Sequence, residues 1–81
     1  MTCRDEMLVA VEYIVRMKKK NEFTVKEVIY EMKRRGTHYK ESTIQTHVTS
    51  KMCANAPVNH YDKTDDFLRI SRGLYRLLNR D

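Results

Sequence analysis

The chain has 81 residues, of which 41% are apolar and 33% charged, with one Pro and two Gly. Those proportions suit one folded domain over 1–81 and leave no room for a second module or a long disordered tract. Sixteen Lys and Arg against eleven Asp and Glu give a net charge of +5, which favours a polyanionic partner.

No apolar run approaches the roughly 20 residues that span a bilayer. The opening residues MTCRDEMLVAVEYIV, interrupted by Glu12, do not read as an export leader. The expectation is a cytoplasmic protein without a membrane partner, in which Cys3 and Cys53 stay reduced.

The first predicted helix runs from residue 3 to about 20. Thr2 and Asp5 form a capping box, and Met7, Leu8, Val11, Ile14, Val15 and Met17 make a broad apolar stripe. Lys18, Lys19 and Lys20 close it, placing cations at the carbonyl end of the helix dipole. A second capping box, Thr24 with Glu27, opens a second helix in NEFTVKEVIYEMKRRG, where Phe23 can staple onto Val28. Val28, Ile29 and Met32 form its inward face, and Gly36 stops it.

After the turn THYK, a third helix is predicted from about Lys40 or Glu41 to Cys53. Ile44, Val48 and Met52 lie on one seam. Ser42, Thr43, Thr46, Thr49 and Ser50 lie on the other side, a row without charge where Glu and Lys are the usual occupants. On a regular helical period Cys53 falls on that outer side. Residues 54–65 form a loop by composition, with Pro57 and several Asn and Asp.

From Phe67 the period changes to two. A two-residue turn at Arg72 and Gly73 would pair Ser71 with Leu74, Ile70 with Tyr75, Arg69 with Arg76 and Leu68 with Leu77. That register gathers Leu68, Ile70, Tyr75 and Leu77 on one apolar face and sets Arg69 opposite Arg76 on the other, with Arg72 at the tip. Two facing arginines repel each other, so this register anticipates an anion there.

The order is helix, a short third strand left open near Phe23, helix, turn, helix, loop and hairpin. This is the order of an α+β winged helix-turn-helix domain, three helices followed by a two-stranded wing. The segments YKESTIQTHVTSKMCANAPVNH and FLRISRGLYRL also resemble a group of small bacterial winged-helix domains that occur alone or beside restriction-type and other defence nucleases. The resemblance covers about Phe23 to Leu77, its most specific blocks being STIQTHV, KMCANAP and RGLYRL, and it implies a DNA-binding role.

Under that reading helix 41–53 enters the major groove of double-stranded DNA and hairpin 67–78 acts as the wing, in a nucleoid-associated regulator of transcription or a DNA-defence accessory protein. Short hydroxyls on Ser42, Thr43, Thr46, Thr49 and Ser50 allow close approach to base edges, and Gln45 can read adenine in bidentate fashion. Lys40, Arg69, Arg72 and Arg76 suit phosphates, with Arg34, Arg35 and Lys51 completing a cationic frame.

Other chemistries are less well supported. His38, His47, His60 and Cys53 lack the spacing of a zinc site, and Asp62, Asp65 and Asp66 lack an EF-hand frame. Asp65 or Asp66 is better read as starting a strand or balancing an arginine. No phosphate-binding Gly loop or activated nucleophile is apparent, so an enzyme, a cofactor and a small-molecule substrate are not expected. Tyr39, Tyr61 and Tyr75 read as packing residues, which disfavours RNA recognition by stacking. The competing reading is a protein-interaction module, with a homodimer formed through the stripe Met7, Val11, Ile14 and Met17 of the first helix.

Overall fold

A computed structural model describes residues 2–55 and 64–78. The expected loop residues Pro57, His60, Tyr61 and Asp62 lie outside this set. Within it the chain is a small α+β domain. Its elements are α1 (Cys3–Lys18), β1 (Phe23–Thr24), α2 (Val25–Arg34), α3 (Glu41–Thr46), a π-helical turn (His47–Lys51), β2 (Phe67–Ser71) and β3 (Leu74–Leu77). The strands form one antiparallel sheet in the order β1-β3-β2.

Both capping boxes are formed. Thr2 Oγ1 accepts the Asp5 N–H at 3.1 Å, and Thr24 Oγ1 accepts the Glu27 N–H at 3.2 Å, with the partner carboxylates returning the bond. Helix α1 ends through its backbone as well as its charge: Lys19 takes the left-handed conformation at φ 57. That costs a non-glycine residue about 1–2 kcal/mol.

Most of the stripe on α1 is core. Met7, Ala10, Val11, Ile14 and Val15 are buried, packed with Val28 and Met32 of α2 and with Ile44, Val48 and Met52 from the third helical stretch. Met17 is the exception at 64% exposed. The face named for a homodimer is therefore spent inside the molecule except at Met17, because a chain this short needs those side chains for its own core.

The third strand lies at Phe23. Its ring meets Phe67 edge-on at 4.9 Å and stacks beside Tyr75 at 6.1 Å, so one aromatic cluster joins all three strands. The side-chain amide of Asn21 continues β1 past its end, donating to the Leu77 carbonyl and accepting the Leu77 N–H, both at 3.0 Å.

The hairpin departs from the expected register. Ser71 faces Leu74, but a bulge between Arg69 and Ser71 shifts the rest, pairing Arg69 with Tyr75, Leu68 with Arg76 and Phe67 with Leu77. Of the two turn residues only Gly73 has positive φ, at 75. Both favoured two-residue hairpin turns need positive φ at the first position, which Arg72 does not have, and the extra residue in β2 absorbs the resulting mismatch of twist. Phe67, Tyr75 and Leu77 thus form the inner face, Leu68 is only partly buried and Ile70 is 48% exposed. Arg69 and Arg76 no longer face each other, and alternation along the strands places them on opposite sides of the hairpin.

The start of β2 is tied to α1. Arg4 grips Asp66 with two parallel bonds of 2.8 Å, and the Thr64 hydroxyl donates to the same carboxylate at 2.6 Å. Asp66 therefore balances an arginine. Burial alone would raise its pKa, but Arg4 and Thr64 outweigh that and hold it below the ordinary value.

Two measurements check this arrangement. Urea unfolding of Phe67→Ala should show a loss of about 3–5 kcal/mol, whereas Ile70→Ser should stay within about 0.5 kcal/mol; the register without a bulge would make Ile70 the costly site. Because the Asp66 carboxyl is depressed in the folded state, its contribution is complete above its unfolded pKa of about 4 and disappears as pH falls through the folded value. Asp66→Asn should lower stability at pH 7 by about 1 kcal/mol, a figure kept small by the exposure of Arg4, and should flatten the acid limb of a stability-against-pH curve.

Candidate nucleic-acid interface

The turn between α2 and the third helical stretch is built on Gly36, whose φ is 83. The Thr37 hydroxyl donates to Glu6 of α1 at 3.1 Å and accepts the Tyr39 N–H at 3.3 Å. The turn is therefore fastened to α1, and Tyr39 packs on the core. Lys40 stands exposed at the N-cap of α3, and Lys33 pairs with Glu41 across the turn.

Helix α3 and its π-helical continuation form one rod, with Ile44 and Val48 fully buried on the inward seam. Ser42, Gln45 and Thr46 are exposed, while Thr43, Thr49 and Ser50 are partly buried. The hydroxyls are not simply free. Thr46 Oγ1 donates to the Ser42 carbonyl at 2.9 Å and Thr49 Oγ1 to the Gln45 carbonyl at 2.8 Å. Each hydroxyl has a single proton, so these two present an acceptor oxygen and a methyl group outward. His47 Nδ1 lies 2.9 Å from the Thr43 carbonyl, which can only accept, so Nδ1 carries the proton and Nε2 remains for other contacts.

These side chains compete for carbonyls on successive turns, and from His47 the rod widens, with Met52 N–H reaching back five residues to the His47 carbonyl at 2.8 Å. The helical stretch consequently stops at Lys51 rather than Cys53. Cys53 turns inward to 1% exposure and bridges Phe67, because residues beyond the rod must join β2. It is neither a groove-facing residue nor an exposed thiol.

The exit of the rod is stitched to the base of the hairpin. The Met52 carbonyl accepts the Phe67 N–H at 2.7 Å, and the Ala54 N–H donates to the Phe67 carbonyl at 2.7 Å. Asn55 then occupies the edge of β2: its Oδ1 accepts the Arg69 N–H at 3.0 Å and its Nδ2 donates to the Arg69 carbonyl at 3.2 Å. By composition Asn55 belongs to a loop and reads only as a turn residue. Nothing in an isolated Asn signals that its amide will stand in for a strand.

Of the cations, Arg69 and Arg72 are exposed and Arg76 is partly buried beside Leu68. Arg34 and Arg35 are directed elsewhere. Both contact the buried Glu31 carboxylate at 2.6 Å and lie over the Tyr13 ring at 5.4 and 5.2 Å, so they do not frame the third helix. The Arg34 guanidinium, opposed by burial and supported by Arg35, holds Glu31 below the ordinary carboxylate range. Ser42, Thr43, Thr46, His47 and Lys51 line a hollow of about 250 Å³ on the rod, a setting with both acceptors and donors. His47 and Lys51 are the contributors that the hydroxyl pattern did not single out.

Among the described residues no three His, Cys, Asp or Glu side chains are grouped to hold a metal ion, and no helix is long and apolar enough to cross a membrane.

A family model described as Domain of unknown function (DUF7669) matches residues 4–77. The chain belongs to that family. No curated protein and no solved structure matches it. The DUF7669 span takes in the Arg4–Asp66 pair, the whole rod and both hairpin strands.

Asn55→Ala should cost about 1–3 kcal/mol in urea unfolding, from two lost backbone bonds, and should speed hydrogen exchange at the Arg69 amide. Unchanged exchange at Arg69 would remove Asn55 as the anchor of the hairpin.

Proposed function

We propose that this domain is a winged helix-turn-helix that binds double-stranded DNA, in a bacterial regulator of transcription or a DNA-defence accessory protein acting at the nucleoid. The observation that carries this reading is the rod itself: its inward seam is fully buried, its outward side from Ser42 to Ser50 carries no charged side chain, and its exit is stitched to a hairpin with exposed arginines. A helix read at close range needs such a surface, since long charged side chains would hold it away from the base edges.

In this reading the rod enters the major groove. Gln45 pairs with an adenine edge, and Ser42, Thr43 and Ser50 contact base edges or sugars. Thr46 and Thr49, whose protons are taken, accept from the amino groups of adenine or cytosine or place a methyl on thymine. Lys40, Lys51, Arg69, Arg72 and Arg76 hold phosphates. Support from Arg69 and Arg76 rests on their charge at the wing, since Arg69 pairs with Tyr75 and Arg76 with Leu68 and the two do not face each other.

With about five phosphates neutralised, log K should fall against log salt with a slope of about −4 to −5. Fluorescence anisotropy with a duplex at two salt concentrations measures it, and a flat response would overturn the reading. Arg72→Ala should weaken every duplex alike, while Gln45→Ala should change preference at one base pair by about 1–3 kcal/mol. Selection from a pool of random duplexes supplies the site for that comparison.

A further inference from the structure

We infer that Ile70, carried on the bulge of β2, is a wedge that enters bound duplex DNA between two base pairs, unstacks them and kinks the helix. The wedge rests on the DNA-binding reading, to which it adds a bend. A lone exposed Ile is ordinary. Ile70 is set apart by its position: it is the extra residue between Arg69 and Ser71, without a register partner on β3, and it is 48% exposed. A bulge re-aims the side chain it carries. The run from Arg69 to Gly73 is exposed throughout, and Ile70 is the one apolar side chain in it. The root of this finger is fixed. Strand β3 pairs with one side of β2, and on the other Asn55 holds both the N–H and the carbonyl of Arg69. Phe67, at the same root, is bonded to Met52 and Ala54 at the exit of the rod, which sets the finger's place relative to the rod.

The surroundings of Ile70 select a polyanion. Residues 67–78 contain no Asp or Glu. Among the described residues Arg69, Arg72 and Arg76 form no ion pair, whereas Arg4, Arg34 and Arg35 each hold a carboxylate. The occupant must therefore meet cations on both sides of a single apolar side chain. A duplex does so at every step, with phosphates along its backbones and apolar base faces between them. Ile is among the side chains that enter such steps from the minor groove. An anionic bilayer suits a broad apolar face, and the finger offers one residue. Strand addition by another chain needs a bare edge, and Asn55 already covers the edge at Arg69.

The test uses the full chain and a duplex recovered from the random pool, labelled with donor and acceptor dyes at its two ends. Saturating protein should raise energy transfer, because wedge insertion bends a duplex by about 20–90°. A 2-aminopurine walked through the same duplex should brighten at one step, where a purine leaves its stack. Ile70→Ser, checked for an unchanged thermal midpoint, should abolish both signals while binding and its salt slope persist. Ile70→Leu should keep both. Arg72→Ala should weaken binding and leave energy transfer at saturation unchanged. A duplex bound without a rise in energy transfer, or a rise that survives Ile70→Ser, overturns the wedge and leaves the DNA reading standing. Absence of binding to any duplex removes both. A dimer in sedimentation, or binding to phosphatidylserine vesicles, that Ile70→Ser abolishes would assign the residue another task and also overturn the wedge.

Discussion

The contact among Phe23, Phe67 and Tyr75 is the constraint on which the architecture turns. Strand β1 has two residues, too few to persist as an isolated strand. It is held because Phe23 is fully buried against aromatic rings from both other strands. Since β1 lies between α1 and α2 in the chain, fixing it fixes how both helices lie on the sheet. The rod that follows α2 inherits that placement through a turn fastened to α1 by Thr37 and Glu6.

Two asparagine side chains extend the sheet where the backbone does not. Asn21 continues β1 beside β3, and Asn55 lies along β2. Each offers one donor and one acceptor in the geometry of a peptide group, which satisfies strand positions that would otherwise need water or another chain. The hairpin is thereby tied at its base while its tip, with Arg72, stays exposed.

Several of the acids are spent on internal contacts. Asp66 holds Arg4, Glu31 holds Arg34 and Arg35, Glu27 holds Lys18 and Glu41 holds Lys33. Glu31 and Asp66 are themselves nearly hidden, at 5 and 11% side-chain exposure, while their arginine partners reach the surface. The rod shows a different economy of groups. Its hydroxyls keep the surface neutral and low, yet they compete with the helical ladder for carbonyls, and the rod widens to a π turn over His47–Lys51.

Much of the fold was legible in the residues. Thr2 with Asp5 and Thr24 with Glu27 announce two helix starts, Gly36 a stop, and Ile44 with Val48 a buried seam, because each signal acts between residues a few positions apart. The hydroxyl row and Gln45 were legible in the same way. The bulge at Ile70, the inward turn of Cys53, the strand-like role of Asn55 and the diversion of Arg34 and Arg35 to Glu31 and Tyr13 were not. In each of these, local preference leaves alternatives of nearly equal energy. The choice falls to tertiary contacts, such as Phe23 against Phe67 and Cys53 against Phe67, or to side-chain partners such as Arg69 for Asn55. Short-range energies alone therefore determined where helices begin and which seam is buried, while packing between distant segments decided the register of the wing and the direction of its cations.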